Sequence, residues 1–171
     1  MAIALVALVM AAGCVNAETA LPRCSGGTRL GIVAQSVPTA AYVPCVVALP
    51  TGWSAQSVVV DDDGTEVVLR SDREDHPMVV RLTTGCRRGG STPVDPLVEG
   101  VRSYLRIDSL SPRYSGRYFD VFPGGCLTTT FELTRGAHVA LLDELRHAVG
   151  LYPRQQLAQE LEDDLGGRLD P

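Results

Sequence analysis

The sequence predicts an α+β fold, in which an antiparallel sheet of about five to six strands is followed by two C-terminal helices packed on one face. Two observations carry this prediction. Runs of β-branched and aromatic residues, separated by turn residues, follow one another from residue 57 to residue 134. Two later stretches repeat apolar residues at helical spacing. We expect a short helical segment before the sheet.

The first residues are typical of an export signal. Residues 2–12 form an uninterrupted apolar run, which has the length of a signal-peptide core and is shorter than the ~20 residues needed to span a bilayer. Val15-Asn16-Ala17 fits ordinary signal peptidase and predicts a signal peptide over residues 1–17. Alternatively, the segment from Ala11 to Cys14 resembles a bacterial lipobox, although Leu is usual where Ala11 stands. We favour this lipoprotein leader over residues 1–13, with Cys14 acylated and the membrane as a partner.

Five cysteines are present, and either route removes Cys14 as a free thiol. The remaining four are an even number in an oxidising compartment and predict two disulfides. Cys86 ends a predicted strand and Cys126 begins another, and two strand ends can lie at one edge of an antiparallel sheet. We therefore favour Cys86–Cys126 with Cys24–Cys45. Two other pairings stay open, namely Cys24–Cys86 with Cys45–Cys126, and Cys24–Cys126 with Cys45–Cys86.

A linker over residues 18–27 leads into a single α+β domain predicted for residues 28–171. Residues 28–49 are apolar, but Pro38 and Pro44 exclude one long helix. Short helical turns are expected there, with a helix over residues 40–49. Trp53, the only tryptophan, is expected in the core rather than on an exposed ligand platform.

The sequence predicts six strands and two helices after this segment. An Asp-Gly turn at residues 61–64 and a Pro-Gly-Gly turn at residues 123–125 each predict a hairpin. Residues 87–96 are expected as a loop. The predicted strands are residues 57–60, 67–70, 78–84, 101–110, 117–122 and 126–134. The predicted helices are residues 137–149, ended by Gly150, and residues 154–165, which carry an acidic outer face.

Charge and residue types exclude several functions. The formal net charge is −5, and the fifteen basic residues are all arginine. These arginines are spread along the sequence without a basic stripe, so we expect no nucleic-acid partner. The absence of lysine excludes Schiff-base chemistry and a phosphate-loop lysine.

No pattern identifies a catalytic residue, a cofactor or a metal site, and we predict none of these. An EF-hand loop with Gly64 in its glycine position would need acidic residues at positions 59 and 70, where a valine and an arginine stand. The acidic run at residues 61–63 is therefore expected only as a turn. The three histidines, His76, His138 and His147, lack convincing metal-ligand spacing.

One stretch, residues 113–119, combines arginine with aromatic residues. Tyrosine and arginine are common interface anchors, so Arg113, Tyr114, Arg117 and Tyr118 are the predicted binding surface, for an anionic ligand or a protein. This prediction requires the two tyrosines to be exposed beside the arginines. The alternative is a strand whose rings pack under the helices.

Several motifs resemble a family of uncharacterised actinobacterial exported proteins or lipoproteins, which has no assigned activity. The motifs are VPTA at residues 37–40, VPC at residues 43–45, LPTGW at residues 49–53 and FPGGCLT at residues 122–128. The resemblance implies an exported protein of actinobacterial type, and it implies no site residues.

The sequence thus favours an exported, membrane-anchored, non-enzymatic binding or structural module of the bacterial cell envelope. Its partner would be a protein or an envelope component. One alternative is an envelope-acting hydrolase with an unrecognised carboxylate or histidine site. Another is a fully secreted soluble protein, and a third is a structural subunit that docks through its acidic last helix.

Overall fold

The computed structural model describes residues 21–134, 139–166 and 169. Within them the chain forms three helices and nine strands. The helices are α1 (Thr28–Ser36), α2 (Val139–Ala148) and α3 (Arg154–Leu165). The strands are β1 (Tyr42–Val46), β2 (Trp53–Asp61), β3 (Gly64–Ser71), β4 (Met78–Thr83), β5 (Thr92–Val94), β6 (Arg102–Ser109), β7 (Tyr114–Phe122), β8 (Gly125–Leu133) and β9 (Val149–Pro153).

Seven strands form one antiparallel sheet in the order β2-β3-β4-β8-β7-β6-β5. The predicted α+β class and antiparallel sheet are confirmed, although the sheet has seven strands rather than five to six. The additional strand is β5, which lies at the edge of the sheet in the stretch predicted as a loop. Pro93 lies within it, and an edge strand tolerates proline because its missing N–H is not needed for pairing.

A separate two-stranded ribbon is formed by β1 and β9, in which Cys45 lies opposite Gly150. The helix predicted over residues 40–49 is therefore wrong. Pro44 lacks the N–H that a helix interior requires, and the neighbouring valines favour an extended chain. Gly150 lies inside β9 rather than at a helix end, and a Cβ there would come within 3.1 Å of Cys24 Sγ.

The helices also differ in arrangement from the prediction. α1 lies upstream of the predicted position and packs against α3, β2 and β3. α3 has the predicted bounds, but its main contacts are with α1 and β9, because β9 leads directly into it. α2 lies within its predicted range, of which residues 137 and 138 are outside the described residues. None of the helices in the described residues is both long and apolar enough to cross a membrane.

One hydrophobic core lies between the sheet, the ribbon and the helices. Leu82 and Phe131 represent the inward face of the sheet, and each is at most 1% exposed. The helices contribute Leu30, Leu145 and Leu157, which are fully buried. Burial of each such side chain contributes roughly 1.5–3 kcal/mol, so this layer holds the sheet in place. Trp53 belongs to the same core, as expected.

The described chain enters the domain on the covered side of the sheet. Leu21 is 1% exposed within the core, and Pro22 O accepts a hydrogen bond of 2.7 Å from Val46 N. Arg23 forms a β-bridge with the same residue of β1. The described part of the predicted linker, from residue 21 onward, is thus packed against the ribbon.

Two disulfides are present, Cys24–Cys45 and Cys86–Cys126. These are the pairs favoured from the sequence. The first joins the entering chain to β1. The second joins the segment after β4 to the beginning of β8, on the neighbouring strand of the sheet.

Candidate functional site

The sheet has two different faces. Its inward face shares a core with the helices and the ribbon, whereas most outward side chains of the described strands are half-buried or exposed. Because side chains alternate along a strand, the pairing register places Arg81 of β4, Arg117 of β7 and Arg106 of β6 on the outward face. By the same alternation, Arg70 of β3 and Arg102 of β6 also lie on the outward face.

Two further arginines join this face through their contacts. Arg88 lies over the ring of Tyr104, an outward residue of β6, at 4.3 Å from the ring centroid. Arg113 donates a hydrogen bond of 2.7 Å to Glu132, an outward residue of β8. We call the resulting surface the arginine face. It consists of Arg70, Arg81, Arg88, Arg102, Arg106, Arg113 and Arg117.

The arginine face concentrates positive charge on an acidic protein. Three carboxylates form ion pairs with its arginines, namely Glu66, Asp108 and Glu132. Asp61 and Asp63 line the same hollow as Arg81. With these five counted, the face holds seven arginines against five acidic residues, and the rest of the chain holds eight arginines against fifteen acidic residues. Within the described residues, Arg70 and Arg102 have no ion-pair partner. The fold therefore separates charge that the sequence distributes evenly.

A compact cluster lies where β6 meets β7. Arg106 and Arg117 are directly opposite each other across the two strands, an arrangement of like charges that is unfavourable by itself. Asp108 lies between them: its Oδ1 is 2.8 Å from Arg106 Nε and its Oδ2 is 3.6 Å from Arg117 Nε. One carboxylate thus partly neutralises two guanidinium groups that face solvent.

The loop after β4 folds over part of this face. Arg106 Nη1 donates to Gly89 O at 3.4 Å, and the Arg106 guanidinium lies 6.0 Å from the ring centroid of Phe119. Phe119 points outward but is only 2% exposed, so it forms a small apolar base beneath the arginines. The Cys86–Cys126 disulfide ties the same loop to β8.

At one end of β8, Arg113 and Glu132 meet His76. Arg113 Nη1 contacts both His76 Nε2 and Glu132 Oε1, while His76 Nε2 is 3.4 Å from Glu132 Oε1. The Arg113 hydrogen bond and the nearby His76 lower the pKa of Glu132. The three side chains are 34–46% exposed, so this histidine and carboxylate meet at the surface and not in a cleft.

The four residues of the predicted binding surface do not form one patch. Arg113 and Arg117 belong to the arginine face, whereas Tyr114 and Tyr118 point into the covered side, against Phe131. Strand alternation separates Arg117 from Tyr118 because they are adjacent in β7. Tyr118 is 9% exposed, so its ring packs under the helical layer, as the alternative interpretation stated.

A buried polar cluster on the covered face was not predicted. Asp120 is 1% exposed, accepts a hydrogen bond from Ser103 Oγ and lies 3.7 Å from Arg146 Nη2 of α2. Burial raises the pKa of Asp120, although Ser103 and Arg146 act in the opposite direction. Arg146 Nη2 also donates a hydrogen bond of 2.6 Å to Asp95 O, and its guanidinium carbon lies 4.6 Å from the ring centroid of Tyr118. The only sequence signal was an aspartate inside the apolar run of β7.

Two of the four motifs that carry the family resemblance, at residues 37–40 and 122–128, meet at a groove of about 610 Å³ beside the start of α3. Thr39 Oγ1 donates to Gly124 O at 2.7 Å, and Ala41 N donates to Pro123 O at 2.9 Å. Gly124 has φ +70°, and a Cβ there would lie 1.7 Å from Thr39 O. The motifs thus interlock two chain segments, and glycine is required by this close approach.

The remaining candidates carry no shared site. Asp61 ends β2 and Asp63 lies in the turn to β3, where Asp63 N donates a hydrogen bond of 3.0 Å to Asp61 Oδ1. Both line a hollow together with Glu66 and Arg81 of the arginine face. His147 is exposed on α2, and His138 lies outside the described residues, as do Cys14 and the predicted leader. Among the residues that the structure describes, no three His, Cys, Asp or Glu side chains are grouped to hold a metal ion.

Comparison with known proteins adds no relative. No protein-family model matches the chain, and neither the search of curated proteins nor the search of solved structures found a match.

Proposed function

We propose that this chain is an exported, non-enzymatic binding module of the bacterial cell envelope, and that its arginine face binds an anionic envelope component. The observation that carries the proposal is the separation of charge: seven arginines and five carboxylates share one sheet face of a chain with net charge −5. Arginine binds carboxylates and phosphates through paired N–H donors. Such a face attracts anions although the whole protein repels them.

The cysteine chemistry supports export. Disulfides persist in oxidising compartments and are rare where thiols are kept reduced. Two disulfides in this chain, behind an apolar leader, therefore fit an extracytoplasmic location. The lipobox-like segment before Cys14 supports membrane anchoring, and cleavage after Ala17 would instead release the same domain in soluble form.

The anchor would also orient the domain. Six residues separate Cys14 from Leu21, which limits the distance between the lipid and the domain to at most about 25 Å. Leu21 lies in the core on the covered side of the sheet. We therefore expect the helical side to lie toward the membrane and the arginine face to point away from it, toward the envelope polymers.

Intact mass of the mature protein from cells tests the export part. We expect a chain that begins at Cys14 and carries acyl mass, with four thiols that appear only after reduction. A start at residue 18 would show a secreted domain and remove the anchor. An uncut Met1, or thiols that react without reduction, would contradict export itself.

Binding to a polyanion tests the function. Arg88→Gln with Arg102→Gln removes two positive charges from the arginine face, and Arg23→Gln with Arg29→Gln removes two from exposed positions elsewhere. Each lost arginine–anion contact means that fewer counterions are released on binding. We therefore expect the first pair to weaken binding of a fluorescent polyanion about tenfold at low salt. The second pair should change affinity less than about twofold. Equal losses in the two variants would show attraction without a defined face and overturn the proposal.

A further inference from the structure

We infer that β6 is the track on which the anionic component lies, and that this component is a linear phosphodiester polymer without nucleobases. This inference rests on the proposed function and specifies its ligand. It also gives Asp108 a role: this carboxylate occupies the position beside Arg106 and Arg117, where we expect the polymer to bind most strongly.

Spacing along β6 carries the first step. Three successive outward positions of this strand each present a guanidinium group: Arg102 itself, Arg88 stacked on Tyr104, and Arg106. Outward positions in a strand recur about every 6.8 Å. The three guanidinium groups are therefore held over or beside strand positions that recur at a regular interval, which suits an extended polymer with repeated charges better than a single small anion.

The cluster of Arg106, Arg117 and Asp108 favours phosphate over carboxylate. Asp108 Oδ1 contacts Arg106 Nε at 2.8 Å, but its Oδ2 is 3.6 Å from Arg117 Nε, too long for a good hydrogen bond. A planar carboxylate thus engages one of the two arginines well and the other poorly. The two non-bridging oxygens of a phosphodiester lie further apart than those of a carboxylate because P–O bonds are longer than C–O bonds, so each one is better placed to accept from its own guanidinium group.

The track is held in shape before any ligand binds. Gly89 O accepts from Arg106 Nη1, and Phe119 packs beneath the same guanidinium. Tyr104 supports Arg88, and the Cys86–Cys126 disulfide fixes the loop that carries it. A preorganised surface loses less side-chain freedom on binding than one with mobile arginines.

Aromatic placement argues against nucleic acid as the polymer. Proteins that bind single strands stack bases on open aromatic rings. On the arginine face, the ring of Tyr104 is covered by Arg88, and Phe119 is 2% exposed. Within the described part of this face, the phosphates of a nucleic acid could pair with arginines, but its bases would have no open ring to stack on. This favours a polymer of phosphodiesters and polyols.

The test measures the affinity of the mature chain, purified from cells, for three probes of equal charge number: a poly(glycerol phosphate) oligomer, an oligogalacturonate and oligo-dT. We expect poly(glycerol phosphate) to bind about tenfold more tightly than the other two. Asp108→Asn should tighten that binding about fivefold, because it removes one negative charge beside two arginines. Glu66→Gln is the matched control: it removes one carboxylate paired with Arg81 on β4, away from β6, and should change affinity less than about twofold.

Three results would overturn the inference. Equal affinity for the galacturonate would remove the preference for phosphate, and tighter binding of oligo-dT would replace the polymer with a nucleic acid. Equal effects of Asp108→Asn and Glu66→Gln would remove the track. In these cases the arginine face still binds polyanions and the proposed function stands, whereas absence of binding to all three probes contradicts both.

Discussion

Two arginine–carboxylate clusters lie on opposite faces of the same pair of strands. On the covered face, Asp120 of β7 is 1% exposed and lies beside Arg146. On the arginine face, the Asp108 side chain of β6 is 37% exposed and lies beside Arg106 and Arg117. The chemical groups are the same, and the difference is access to water.

This difference assigns the two clusters different tasks. Removing one partner of a buried pair leaves a group without water or counter-charge, which is strongly destabilising. An exposed pair contributes little to stability because water solvates either partner alone. We infer that Asp120 and Arg146 join α2 to the sheet, whereas Asp108 leaves its arginines within reach of a ligand.

The largest expected effects come from the two disulfides, which also lie on different sides of the molecule. Replacing Cys86 and Cys126 by alanine, across a separation of 40 residues, should lower the free energy of unfolding by about 4 kcal/mol. It should also weaken polyanion binding, because the loop that carries Arg88 is released. The measurements are urea denaturation and titration with a fluorescent polyanion.

The matched variant replaces Cys24 and Cys45, whose separation is 21 residues. We expect a loss of about 3 kcal/mol with polyanion affinity unchanged, because this disulfide is on the covered side. Equal effects of the two double variants on affinity would contradict the division between the faces.

Arg146→Met should cost about 3 kcal/mol of unfolding free energy, because Asp120 would remain buried without its cation. Arg117→Met, the corresponding change on the arginine face, should cost less than about 1 kcal/mol. Urea denaturation of the two variants measures both values. Similar costs would show that solvent exposure does not separate the clusters.

The pH dependence of stability sharpens the same comparison with a smaller effect. Burial raises the pKa of Asp120 above its ordinary value, so the folded state holds this proton more tightly than the unfolded state. Stability from this group is therefore lost as pH rises from the unfolded pKa, about 3.9, through the raised folded pKa. Asp120→Asn lacks this titration, so the stability of the wild type relative to the variant should fall across that window. A difference that grows with pH would contradict the assignment.

The smallest expected effect on stability is that of Asp108→Asn, at less than about 1 kcal/mol. The same variant should bind poly(glycerol phosphate) more tightly, so its stability and its affinity move independently. A large loss of stability, measured by urea denaturation, would show that Asp108 is structural in the way that Asp120 is.

Local patterns in the sequence predicted most of the sheet and failed for the ribbon. The six predicted strands have strong β propensity and clear turns, such as the Asp-Gly turn between β2 and β3. β1 and β9 are short and pair over about a hundred residues, so no local signal marks them. α1 contains Gly31, which lowers helix propensity but lies close to Leu161 of α3, so tertiary packing decides its conformation.

The candidate site was predictable only in part. Arg113 and Arg117 were predicted as binding residues and lie on the arginine face, while their role in binding stays a prediction. Strand alternation alone would have separated Arg117 from Tyr118. The arginine face as a whole depends on strand order: β4 and β7 are both neighbours of β8, although they are far apart in the sequence. Arginines that are scattered along the chain, such as Arg81 and Arg106, therefore become one surface only after folding.

The salt dependence of poly(glycerol phosphate) binding tests the central claim, that the arginine face binds a polyanion, most directly. Four guanidinium groups are available to the polymer: those of Arg88, Arg102 and Arg106 along the track, and that of Arg117 opposite Arg106. If all four contact phosphate, the logarithm of the binding constant should fall with the logarithm of salt concentration with a slope of about −3. Arg88→Gln with Arg102→Gln should reduce this slope by about half. Measurable binding with a slope near zero, or no binding at low salt, would contradict the account.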